Sequence, residues 1–188
     1  MARQTWAVLA SALLAMAGPA HAGDGSVHVV SDGMGLFIPA SSPVRLASMS
    51  RHETLVKFRG RFAISGFYSI VCDDFVADPC APESLEVYIE PDARLLARLP
   101  RWDMYKANRP LIEIDDAANF IKANLDAPTL AAFRKGRIMR KTGYASMVVE
   151  DLATGVDCDS PWYSARLVSF APVTQVASRE PDGNRGCG

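Results

Sequence analysis

The sequence predicts a mainly β or α+β domain: a curled antiparallel sheet or small barrel of about six to eight strands, with two short helices around residues 116–135. Three observations carry this. Leu85, Val87 and Ile89 alternate with Glu86, Tyr88 and Glu90, the period of a strand with one buried face. Short β-type segments separated by Gly, Pro, Asp and Ser fill most of the chain. Two look-alike segments, each with a glycine inside a strand pattern, imply a sheet that coils sharply at two equivalent places.

In chain order, Val27–Val30 and Leu36–Ile38 read as an edge hairpin turning at Ser31-Asp32-Gly33, and Val44–Ser48 as a further short strand. Thr54–Val71 is a long strand pattern, and Leu85–Glu90 is ended by Pro91-Asp92. The leucines at 95, 96 and 99 suggest one or two helical turns, and Leu111–Ile114 another strand. Asp115 or Asp116 is placed to cap a helix over 117–124, with Ala117, Phe120 and Ile121 on one face. A second helix starts at Asp126 with Pro128 in its first turn and stops at Gly136. Arg137–Val149 and Trp162–Val173 return to strand.

Ser65-Gly66-Phe67-Tyr68-Ser69-Ile70-Val71 matches Thr142-Gly143-Tyr144-Ala145-Ser146-Met147-Val148, and one inserted residue later Cys80 matches Cys158. The chain therefore divides into a signal segment at 1–22, one β-rich domain at 23–176 holding two similar hairpins (54–91 and 137–173), and a tail at 177–188. At the level of architecture alone, the glycine-coiled strands are OB-like. The two hairpins are expected to stand side by side with their tips on a common edge.

Residues 1–22 have the pattern of a secretory signal: Arg3, an uncharged apolar stretch at Ala7–Gly18, and Ala20-His21-Ala22 before the expected cut. The apolar stretch is too short to span a bilayer, so no membrane span is expected after cleavage, and the product is periplasmic or secreted. In an oxidising compartment Cys72, Cys80, Cys158 and Cys187 should pair. Of three connectivities, Cys72–Cys80 and Cys158–Cys187 are favoured, the second tying down the tail. Neither pair has zinc-ligand spacing, and no metal or cofactor is called for.

The formal net charge of −1 lacks the basic excess of a nucleic-acid binder. Acids are concentrated in the two expected connections: Asp73, Asp74, Asp78 and Glu83 in the first, Glu150, Asp151, Asp157 and Asp159 in the second, with no basic residue in either. Arg51, Lys57, Arg59 and Arg61 lead into the first hairpin, and Arg134, Lys135, Arg137, Arg140 and Lys141 into the second. Trp162 and Tyr163 stand beside the second acidic connection, while Trp102 and Tyr105 form another aromatic patch. Acidic rims steer encounter with cationic proteins and adjacent aromatics anchor them. The expected function is thus an exported, non-catalytic module engaging an envelope protein partner, inhibitor- or immunity-like, through Asp73, Asp74, Asp78, Glu150, Asp151, Asp157, Asp159, Trp162, Tyr163, Trp102 and Tyr105. The alternative is an envelope hydrolase using paired carboxylates from the same loops, with or without calcium. No G-x-S-x-G, H-E-x-x-H or phosphate-loop motif occurs to favour catalysis.

Overall fold

A computed structural model of the chain describes residues 25–172, apart from 32–33, 51, 53, 73–79, 81, 106–108 and 159. The signal-like segment, the tail with Cys187, and the loop acids Asp73, Asp74, Asp78 and Asp159 lie outside the described residues.

The chain opens with the expected hairpin, β1 (Gly25–Ser31) and β2 (Met34–Pro39), antiparallel with a register shift between Val29 and Ser31. β3 (Arg45–Ser50) pairs with β4 (Leu55–Arg59). The long strand pattern over 54–71 becomes β4 and then β5 (Phe62–Cys72), interrupted at Gly60, whose φ of 134° bends the chain around Pro43 and Val44. β6 (Leu85–Pro91) has the alternating burial its sequence predicts. A single helical turn, α1 (Ala93–Leu96), leads to the two-residue β7 (Arg101–Trp102) and then β8 (Ile112–Asp115).

The two helices around 116–135 are α2 (Ala118–Asn124) and α3 (Ala127–Arg134), burying Phe120 and Phe133. α3 starts as expected: the Asp126 carboxylate accepts the Thr129 backbone N–H at 2.9 Å, and hydrogen bonding from the Thr129 side chain, then from its backbone N–H, holds its carboxyl below the usual range. It also stops as expected. Gly136 takes φ 62°, and the N–H groups of Gly136 and Arg137 return to the carbonyls of Phe133 and Ala132. α2 departs from expectation. Neither Asp115 nor Asp116 caps it; Ala117 occupies the cap position without a side-chain bond, and Asp116 is spent on a left-handed turn at φ 58°.

β9 (Arg140–Asp157) is far longer than the sequence pattern implied and runs straight into β10 (Ser160–Phe170). Two sheets result. The small one has the order β1-β2-β7; the large one has the order β10-β8-β6-β5-β9-β4-β3, with β9 and β10 also paired. That extra pairing makes β5, β6, β8, β10 and β9 a ring, and β8 meets β10 in parallel while the other ring contacts are antiparallel. With the two helices between β8 and β9, this connectivity is the five-strand plan of an OB-type barrel. The ring is not closed as a barrel, and β6 and β8 share only the pairs Tyr88 with Glu113 and Ile89 with Ile112.

The internal repeat acquires a structural meaning here. Its two copies lie against each other in antiparallel pairing, and the equivalent residues Phe67 and Tyr144 are direct partners, with Gly66 opposite Ala145 and Tyr68 opposite Gly143. β6 flanks one copy and β10 the other, so β6-β5-β9-β10 is symmetric about the Phe67–Tyr144 pair. β8 breaks that symmetry by closing the ring.

Ile64, Ile70, Ile89, Ile112 and Val149 are fully buried inside the ring strands. Each such side chain contributes about 1.5–3 kcal/mol relative to exposure. The aromatic series Tyr68, Phe120 and Phe170, with edge-to-face contacts of 5.0 and 5.2 Å, packs α2 against the strands.

Cys72 and Cys80 form the expected disulfide, with Cα atoms 5.8 Å apart. Cys158 is also disulfide-bonded, and its expected partner Cys187 lies outside the described residues. Because the Cys72–Cys80 bridge closes a short loop at the end of β5, replacing both cysteines by serine should cost about 2–3 kcal/mol in a urea titration. A loss below about 1 kcal/mol would mean that the loop is held by its neighbours instead.

Candidate binding face

The antiparallel arrangement of the repeat decides where the two hairpin ends go. Cys72 ends β5 beside the start of β9, where its N–H reaches the Met139 carbonyl at 3.3 Å. The second hairpin turns at Cys158, at the other end of the 18-residue β9. The common edge expected from sequence is therefore absent: the two hairpins stand side by side but point in opposite directions.

Several candidate residues are also moved into other roles. Residues 150–157 are strand, not connection. Glu150 and Asp151 sit where β9 bulges against β10, between the pairs Ala153 with Ser164 and Glu150 with Arg166, and Asp151 takes φ 55° there. Both are engaged by cations: Glu150 by Arg61 at 2.8 Å and Arg166 at 2.7 Å, Asp151 by Arg166 at 2.7 Å. Trp102 and Tyr163 are core residues, 1% and 4% exposed. The Trp102 Nε1 donates to Thr154 Oγ1 at 2.9 Å, and burial pushes the Tyr163 hydroxyl up to about 12. Asp157 is exposed, and Trp162 is 37% exposed with its indole lying over Gly155. Of the second acidic group and its aromatics, Asp157 and Trp162 are, among the described residues, the accessible acid and aromatic nearest the turn. Tyr105 lies in a short helical turn after β7.

The structure instead assembles acids and aromatics on the outward face of the ring. Across β6, β5 and β9, Glu90 pairs with Phe67 and Phe67 with Tyr144. In the next outward row, Tyr88 pairs with Ser69 and, on its other side, with Glu113 of β8. Glu86 follows, opposite Val71. The Phe67 and Tyr144 rings meet edge to face at 5.5 Å. The Tyr144 hydroxyl donates to Asp92 at 2.6 Å, a bond that raises the hydroxyl above its ordinary value. Tyr88 donates to Glu86, and Arg109 donates to Glu90 at 2.9 Å. Ser65 and Ser146 share a hydrogen bond of 2.8 Å beside this group.

Four carboxylates (Glu86, Glu90, Asp92 and Glu113) thus border three half-buried aromatics, Phe67, Tyr88 and Tyr144, while Asp115 at the end of β8 stands opposite Arg166 of β10. Burial raises the Asp115 carboxyl, with the Ser164 hydrogen bond working against it. The signal for this face was in the sequence as the outward half of the Glu86-Tyr88-Glu90 alternation. That half alone is indistinguishable from an ordinary solvent-facing strand face, and only the pairing of β6 with β5 and β8 brings the other members alongside. Among the described residues, no three His, Cys, Asp or Glu side chains are grouped as ligands for a metal. No described helix is long and apolar enough to cross a membrane.

Comparisons with protein-family models, with curated proteins and with solved structures find no match to this chain.

Proposed function

We propose that the chain is an exported, non-catalytic binding module that engages a basic protein partner, in the manner of an inhibitor or immunity protein. The observation that carries this reading is the outward face of β6, β5 and β9, where Glu86, Glu90 and Asp92 surround Tyr88, Phe67 and Tyr144. Carboxylates steer a cationic surface into contact, and rigid aromatics with few rotatable bonds supply the area that holds it. Tyr144 and Tyr88 are fixed by their hydroxyl bonds to Asp92 and Glu86, so little side-chain freedom is lost on binding. In OB-type barrels the second and third strands form the usual ligand face; β6 and β8 hold those places here, a fold-level analogy that agrees with the chemistry.

The hydrolase alternative is weaker. Glu150 and Asp151, two of its expected carboxylates, are tied to Arg61 and Arg166.

The test is affinity capture from an envelope extract with the mature domain, followed by measurement of the captured protein's affinity. A specific partner should bind the unaltered domain at physiological salt, and its affinity should fall about tenfold to a hundredfold in Tyr88→Ala/Glu90→Gln. Asp157→Asn at the far turn should leave it unchanged. If the Tyr88→Ala/Glu90→Gln domain captures the same protein with the same affinity, this face is not the recognition surface.

A further inference from the structure

We infer that the outer face of the β3–β4 ribbon is a docking surface for an anionic phospholipid membrane. This inference is independent of the protein-partner reading, which uses a different part of the sheet.

The ribbon carries a charge arrangement that a purely structural strand pair avoids. Arg45 and Arg59 are direct cross-strand partners, and Lys57 projects from the same face two residues along β4, opposite Ser48. All three are exposed. Like charges placed directly opposite each other destabilise a strand pair. Among the described residues none of the three has an ion pair or a side-chain hydrogen bond, whereas Arg61, Arg109 and Arg166 are each paired with a carboxylate. Arg98 adds a fourth cation at the Arg45 end, where its Nε donates to the Ser41 carbonyl at 2.9 Å. The charge is therefore neither cancelled nor buried, and the folded chain keeps it at a cost.

The shape of the ribbon selects the partner. Ala47 and Ser48 lie among the cations on β3, and the face carries no aromatic side chain, its largest apolar one being the half-buried Leu55 opposite Ser50. A protein interface draws most of its energy from buried aromatic or arginine anchors seated in pockets on the other side. A single-stranded nucleic acid needs aromatic platforms for its bases. Neither is provided here. A lipid surface requires only positive charge presented on an accessible plane, which attracts anionic headgroups in proportion to the number of Lys and Arg near it. The position of the ribbon agrees. β4 pairs with β9 at Ala153 and Thr154, nine and ten residues along that strand from Tyr144 of the acidic face, so a membrane held by the ribbon leaves that face accessible.

The experiment is vesicle co-sedimentation of the mature chain, with phosphatidylcholine alone and with an equal mixture of phosphatidylcholine and phosphatidylglycerol. Binding should require phosphatidylglycerol and weaken as salt is raised. Arg45→Ser/Lys57→Ser/Arg59→Ser should bind about a hundredfold more weakly, a factor of roughly five for each cation removed. Arg134→Ser/Lys135→Ser/Arg137→Ser, which removes as much charge from the end of α3, should lose less than about threefold. Arg59→Glu separates function from folding: it places a carboxylate opposite Arg45, so the melting temperature should rise by about 1–2 °C while vesicle binding falls. The inference is overturned if the chain sediments equally with both vesicles or with neither. It is overturned equally if both triple variants lose the same affinity, or if the chain is retained by dextran sulfate without binding vesicles.

Discussion

Replacing Gly66 by alanine should destabilise the fold by about 3 kcal/mol or more, while the same change at its repeat partner Gly143 should cost about half as much. The two glycines occupy equivalent places in the repeat but make room for different things. A Cβ on Gly66 would stand 1.9 Å from the Glu90 carbonyl oxygen and 2.8 Å from its carbon, so β5 and β6 would have to separate. That movement also threatens the bond from the Asp92 N–H to the Ser65 carbonyl. A Cβ on Gly143 meets the ring of Tyr68 instead, at 2.6 Å. A ring can turn, although its contact with Phe120 resists the turn. Tyr68→Leu should therefore offset part of the Gly143→Ala loss, with a coupling of about 1 kcal/mol in a double-mutant cycle. No side-chain change in that ring should relieve Gly66→Ala, because the obstacle is backbone. Urea titrations of the three single variants and of Tyr68→Leu combined with each glycine substitution measure this, and equal costs with equal rescue would refute the distinct roles assigned to the two positions.

Much of the fold was legible because most strands announce themselves locally. The Leu85–Ile89 alternation, the Asp126–Gly136 helix signals and the Gly33 and Pro43 breaks depend on neighbours within a few residues, and each matches an element boundary to within a few positions. The repeat was legible as well, but its direction was not. Two similar hairpins can lie side by side with tips together or tips opposed, and the side-chain pattern of each is the same in both cases. The register of Phe67 with Tyr144 selects the opposed form, and with it the shared acidic edge disappears. The charges of Glu150 and Asp151 misled for a related reason. Acidic residues in a stretch that also holds Gly155 and Pro161 resemble a connection, whereas here Glu150 and Asp151 sit on a bulged strand facing arginines distant in sequence. Trp102 and Tyr163 misled because an indole or phenol beside charged neighbours looks exposed until a hydrogen-bond partner inside the core is known.

That partner is Thr154, and replacing it by valine should cost about 2–4 kcal/mol despite the near-equal volume. Thr154 is fully buried on β9. Its hydroxyl accepts from Trp102 Nε1 at 2.9 Å and donates to the Trp162 carbonyl at 2.6 Å, and the Tyr163 hydroxyl lies within hydrogen-bonding reach of it. Trp102 belongs to the small sheet through its pairing with Leu36, so this one hydroxyl joins the small sheet to the ring. Every buried side-chain nitrogen and oxygen among the described residues has a partner, and valine would leave the Trp102 indole N–H without its own. Trp102→Phe removes the indole donor from the other side. The double variant Thr154→Val/Trp102→Phe should then be less destabilised than the two single losses combined, since deleting both partners leaves fewer groups orphaned than deleting one. Tyr163 supplies an independent readout. Its hydroxyl titrates near 12 when folded and near 10 when unfolded, so its contribution to stability is complete below pH 10 and is lost as pH rises towards 12. Tyr163→Phe should flatten that alkaline decline. If Thr154→Val melts with the unaltered protein, the hydroxyl is not what fastens the two sheets together.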